Sequence, residues 1–153
     1  MKTPPPLEKT ADTAGSDLDD DPREVAQRLG LVAVLPGPCD LFVDVDSDAA
    51  MDWLLQMLPS LEDEEGALTV EVVTVVVSKS GLPHRHVYLR ASRALSSLER
   101  VALQACLGSD RKRELLSLLR VWSGAARPPT VFFELPGFDG PDTVSAYQYH
   151  PVR

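Results

Sequence analysis

The stretch from Thr69 to Ser78 constrains this chain more than any other, because six of its ten residues are valine. A branched Cβ loses rotamer freedom against the preceding turn of a helix and packs well on a pleated surface, so the run reads as a strand. Ser80-Gly81-Leu82-Pro83 turns the chain, and His84 to Arg90 returns as its hairpin partner. A lone hairpin is marginal in water, so the remaining sequence has to supply further strands and a layer to cover them.

The flanking segments alternate in type. Leu41 to Asp46 (LFVDVD) reads as a strand, and Ser47 to Leu58 as a helix with Ala50, Trp53, Leu54, Met57 and Leu58 at helical spacing. Glu62 to Gly66 is an acidic loop. Ser96-Ser97-Leu98-Glu99 is a capping box that opens a helix with the apolar stripe Leu98, Val101, Ala102, Ala105 and Cys106, ended by Gly108. Ser109 or Asp110 caps a second helix, whose Leu115, Leu118, Leu119 and Trp122 are expected to face the core. Trp53 and Trp122 read as packing residues. After Pro128-Pro129, Val131 to Leu135 is the last strand. The order β-α-β-β-α-α-β predicts an α+β domain with a ferredoxin-like, RNA-recognition-type open sheet and helices on one face.

A chain of 153 residues suits one domain. Residues 1–22 are Pro-rich and then acidic, with almost nothing to bury, which predicts a disordered tail ahead of a single domain over 23–153 with its core in 40–135. A short helix from Pro22 or Arg23 to Leu29, ended by Gly30, and an apolar run Leu31 to Leu35 lead into the core. No run of about 18 apolar residues exists to span a membrane, and the N-terminus lacks the apolar stretch of a secretory signal. Cys39 and Cys106 form neither a metal spacing nor a disulfide framework, so a cytoplasmic setting is the expectation. Net charge is −8, but unevenly spread: residues 1–66 hold 16 acids and 4 bases, residues 67–153 hold 7 acids and 11 bases. A basic half can meet phosphates while acids solvate the tail or compete for the same surface.

Alternation across strands assigns faces. Leu41, Val43 and Val45 point one way, and Phe42, Asp44 and Asp46 the other; His84, His86, Tyr88 and Arg90 share a face, as do Phe132 and Glu134. In the expected sheet the strands of Asp44 and His86 are neighbours, so two carboxylates and two imidazoles meet on the uncovered face. Carboxylates at i and i+2 of a strand lie about 6.5–7 Å apart at Cα, a span that one hard divalent cation bridges. Mg²⁺ or Mn²⁺ fits, taking its other ligands from water and substrate phosphates. Asp46 has an alternative role as cap of the following helix. His-x-His lacks a third zinc ligand nearby. Among Lys79, Arg85 and Arg90 it suits phosphate contact, or simply an exposed hairpin edge. Asp110 can be a third metal carboxylate or a helix cap, and Glu134 competes for the same role. No nucleophile elbow, Walker or dinucleotide glycine pattern occurs.

Leu41-Phe42-Val43-Asp44-Val45-Asp46 resembles the apolar-Asp-x-Asp first motif of the archaeo-eukaryotic primase (primase–polymerase) superfamily. Ser78-Lys79-Ser80-Gly81-Leu82-Pro83-His84-Arg85-His86-Val87-Tyr88-Leu89 resembles its second motif, a Ser/Gly turn leading to a His that opens a strand. The resemblance covers roughly residues 40–135. It implies a primase or DNA polymerase type of nucleotidyltransferase acting in replication or repair, of a small phage or plasmid kind, in a bacterial or phage-infected cell. By that resemblance Asp44 and Asp46 hold Mg²⁺ or Mn²⁺. His86 contacts the nucleotide phosphates, with Lys79, Ser80, His84 and Arg90 around them. The third metal carboxylate is Asp110 or Glu134, where the family has Asp. Implied partners are nucleoside triphosphates, a single-stranded nucleic-acid template and a helicase or other replication protein.

Two other readings compete. The same sheet can hold nucleic acid or nucleotide without catalysis, through Phe42, Tyr88 and Phe132 as stacking aromatics. Alternatively, the acidic first 22 residues mimic nucleic acid in an accessory or inhibitory protein.

Overall fold

The computed structural model describes residues 21–61, 68–124, 130–138 and 140. The acidic loop at 62–66, the Pro128-Pro129 turn and nearly all of the predicted N-terminal tail lie outside these residues. Helix α1 (Pro22–Leu29) starts where its cap allows: Asp21 accepts from the Arg23 amide, and Gly30 closes it at φ +67°. Then come β1 (Val32–Val34), β2 (Asp40–Val45), α2 (Asp48–Met57), a 3₁₀ turn (Leu58–Leu61), β3 (Val70–Val77), β4 (Arg85–Ala91), α3 (Ser97–Cys106), α4 (Arg111–Trp122) and β5 (Phe132–Glu134). The capping box of Ser96 and Glu99 opens α3, and Asp110 caps α4.

The α+β class stands. β2, β4 and β3 form an antiparallel sheet in that order, with β3 and β4 paired as the expected hairpin and a register shift between Val72 and Thr74. One face buries Leu41, Val43, Val45, Val87 and Leu89 against Met51 and Leu54 of α2 and against Leu95, Leu103 and Leu107 around α3. This is the face that strand parity assigned to the helices.

The last strand departs from the ferredoxin-like order. β5 pairs antiparallel with β1 in a separate two-stranded sheet. Phe132 of β5 then packs on Phe42 and Tyr88, so part of the face read as open carries a second apolar cluster with Val34 and Phe138. The physical reason lies at the free edge of β2, where a fourth strand would otherwise pair. Gln104 Oε1 accepts from the Phe42 amide at 2.9 Å and Ser109 Oγ from the Asp44 amide at 3.1 Å. The Asp110 amide donates to the Asp44 carbonyl at 3.0 Å, and Arg100 Nε to the Asp40 carbonyl at 2.9 Å. Helix α3 and the α3–α4 connection thus satisfy the edge with side chains and one backbone amide, since buried backbone groups cannot be left unpaired.

That arrangement overturns the expected orientation of α4 and leaves only Val101 of the α3 stripe buried. Their buried residues include Arg100 and Gln104 on α3 and Glu114 and Ser117 on α4. Leu115, Leu119 and Trp122, read as facing the core, are exposed instead, as is Leu98 of the α3 stripe, and Trp53 is half-exposed with Nε1 donating to the Cys106 carbonyl.

Burying Glu114 has a measurable consequence. Burial pushes its carboxyl above the usual range, against the lowering effect of its bonds with Ser109 and Gln104 and of nearby Arg113. As pH rises from about 4, the unfolded glutamate ionises first while the folded one keeps its proton, so stability falls through that window. Glu114→Gln removes this penalty. Urea midpoints measured at pH 4 and pH 7 should shift in the variant's favour at the higher pH; an equal difference at both would exclude the effect.

Candidate functional site on the β2–β4 strand pair

The β2–β4 register sets Asp44 directly opposite His86. Asp46 follows just beyond the strand, with Oδ1 3.0 Å from His84 Nδ1. All four residues expected to meet therefore do so. Ser47, rather than Asp46, caps α2 by accepting from the Ala50 amide. Arg85 points to the other side, toward Asp48 Oδ1 at 2.8 Å.

His86 is fixed from three directions. Its ring stacks on Phe132 at 4.0 Å and 6°. Nδ1 lies 2.5 Å from Glu134 Oε1, and Nε2 lies 4.0 Å from Asp44 Oδ1. Nδ1 thus faces Glu134 and Nε2 faces Asp44. The Tyr88 hydroxyl donates to the same Glu134 oxygen at 2.5 Å. Burial pushes the Tyr88 phenol up, and the bond to Glu134 and that residue's charge push it further. Glu134 is buried, and its Oε1 takes both of these contacts, so it braces His86 and Tyr88.

Asp44 is half-buried. Desolvation raises its carboxyl above the ordinary value, with Asp46 and Asp110 adding repulsion and Arg113 and His86 opposing it. Arg113 was not singled out by sequence pattern, where it reads as one member of a basic run. Its guanidinium lies 3.9 Å over the Phe132 ring, and Nη2 donates to the Val131 carbonyl at 3.4 Å. Nη1 stands 3.9 Å from Asp44 Oδ2, beyond hydrogen-bonding range, and is a buried donor with no partner among the described residues. Asp110 sits beside Asp44 through its backbone, while its carboxylate caps α4 at the Arg113 amide, 2.9 Å away. The only sequence signal for Arg113 was its place three residues after that cap.

The expected phosphate-binding residues divide. Lys79 and Ser80 lie exposed in the β3–β4 turn, next to His84. The turn's amides are used internally, Gly81 N to the Ser78 carbonyl at 2.8 Å and His84 N to the Gly81 carbonyl at 3.0 Å, so they form no anion nest. Arg90 stands apart. It is four residues from His86, about 13 Å along the strand, opposite Asp40 and with Nε 3.4 Å from that carboxylate.

Among the described residues no group of three or more His, Cys, Asp or Glu gathers in ligating geometry. Asp44 and Asp46 are the two carboxylates that could hold a hard cation, which completes its shell from water and substrate oxygens. No helix among the described residues is long and apolar enough to cross a membrane. No family model, curated protein or solved structure matches the chain.

Proposed function

We propose that the chain is a divalent-metal-dependent nucleotidyltransferase of the primase–polymerase kind, using nucleoside triphosphates on a nucleic-acid template. The cross-strand pairing of Asp44 with His86, beside Asp46 and His84, carries this reading. Asp44 and Asp46 would hold Mg²⁺ or Mn²⁺, which supplies charge neutralisation on the triphosphate and a more acidic primer hydroxyl. Glu134 and Phe132 hold the His86 ring so that Nε2 faces the acids, where the doubly protonated ring would donate from Nε2 to a phosphate oxygen. Lys79 brings further positive charge at the turn beside His84, and Arg113 Nη1, 3.9 Å from Asp44 and without a hydrogen-bond partner among the described residues, adds charge beside the carboxylate.

The non-catalytic module is the weaker reading. An RNA-recognition sheet binds by stacking bases on exposed aromatics, and Phe42, Tyr88 and Phe132 are all buried. Titration with a nucleoside triphosphate in Mn²⁺, Mg²⁺ and EDTA, beside Asp44→Ala/Asp46→Ala, tests the proposal. Binding that requires the metal and vanishes in the folded variant supports it. Equal binding in all conditions would sink it.

A further inference from the structure

Helices α3 and α4 turn polar residues inward, Arg100 and Gln104 beside Val101 on α3 and Glu114 and Ser117 on α4, and leave an apolar row of Leu98, Leu115, Leu119 and Trp122 exposed. Leu98, Val101, Ala102 and Ala105 of α3 face Leu115 and Leu118 of α4 across a groove of about 320 Å³. Leu98 is 51 % exposed, Leu115 57 % and Trp122 73 %. Leu119 and Trp122 extend the row from Leu115 by one and two helical turns. Monomeric domains seldom leave a contiguous apolar surface of this kind without a partner.

Charge decides what covers it. Arg111 lines the groove, and Arg111 and Lys112 are exposed one turn before Leu115 and Leu116. The single acid of α4, Glu114, is buried. A second copy packing α4 on α4 would set basic residues against basic residues with no exposed α4 carboxylate between them. The chain's own residues 1–20 bring Asp17, Asp19 and Asp20, but Leu18 is the only leucine beside them. One leucine cannot fill a groove lined along two helices.

We propose that the α3–α4 groove is the docking site for an acidic amphipathic helix of a partner protein. Its apolar side chains at i, i+3, i+4 and i+7 lie along the leucine and alanine rows. Its carboxylates meet Arg111 and Lys112. The groove and the nucleotidyltransferase reading share one contact, Ser109, which lines the groove and accepts from the Asp44 backbone amide; the substitutions used below lie elsewhere on the two helices.

The test uses the full chain carrying Trp53→Phe, which leaves Trp122 as its only tryptophan. The probes are two synthetic amphipathic peptides with leucine on one face, and glutamate or lysine on the other. The glutamate peptide should shift Trp122 emission to the blue and saturate, roughly tenfold tighter than the lysine peptide and weakening with added salt. Leu115→Glu/Leu119→Glu, at exposed positions the fold does not need, should abolish the shift. Arg111→Glu/Lys112→Glu should reverse the preference toward lysine. Equal response to both peptides, or none, overturns the proposal. So does a blue shift that grows with protein concentration alone, which would assign the groove to a second copy. Acrylamide shielding of Trp122 that disappears on Asp17→Asn/Asp19→Asn/Asp20→Asn would assign it to the chain's own tail, with the same consequence.

Discussion

Gln104→Leu should cost this domain about 3–5 kcal/mol of stability, among the larger effects a single substitution can have. One side chain holds three elements together. Its oxygen accepts from the Phe42 amide on β2, and its nitrogen donates to the Glu114 carboxylate at 3.1 Å and to Thr130 Oγ1 at 3.0 Å. Leucine fills the space but leaves the Phe42 N–H without an acceptor, at about 1–3 kcal/mol for a buried group, and takes a donor from a buried carboxylate. Gln104→Glu provides a second comparison. It keeps the acceptor for Phe42 but sets two carboxyls against each other, so it should be strongly destabilised at pH 7 and recover toward wild type as pH falls. Urea denaturation at both pH values reads the pair. Wild-type stability of Gln104→Leu at pH 7 would mean that the Phe42 amide does not depend on Gln104, and wild-type stability of Gln104→Glu that the contact with Glu114 carries no cost.

Asp44→Asn should lower metal-dependent nucleotide incorporation on the order of 10²–10³-fold, the scale for losing one preorganised charge-stabilising group. The change is nearly isosteric and removes a carboxylate that burial already disfavours in its charged form. The folded state should therefore survive with its urea midpoint little altered. Primer extension in Mn²⁺ with the two proteins matched for concentration measures the effect. Retained extension would remove Asp44 from the reaction and with it the proposed function. Loss of folding would make Asp44 a structural residue.

Much of this was legible in the sequence because the signals were local. A valine run, a turn and a returning strand predicted β3–β4. The Ser96 capping box gave the start of α3, and Ser109 or Asp110 that of α4. Strand parity then placed Asp44, Asp46, His84 and His86 on one surface, since a period of two leaves little freedom once two strands pair. The orientation of α3 and α4 was not legible. Periodicity reveals an apolar stripe but not which side the fold needs, and here the unpaired backbone of β2 recruits Arg100, Gln104 and Ser109 inward. Arg113 stayed hidden for the same reason: its partners Phe132, Val131 and Asp44 come from strands far along the chain. Glu134 was noticed, but only the register of β5 against β1 shows that it supports His86.

The side-chain closure of β2 also bears on how the protein behaves in a crowded solution. A sheet recruits further strands at its edges, and edge-to-edge addition is the usual route to aggregation. With β2 sealed by α3 and α4, growth of the three-stranded sheet is left to β3, the valine-rich edge. There the register slips between Val72 and Thr74, and a bulge of that kind bends and twists a strand away from a flat partner. Glu71 adds an exposed charge beside it. The most adhesive segment of the chain is thus kept from templating its own kind by one irregularity and one carboxylate.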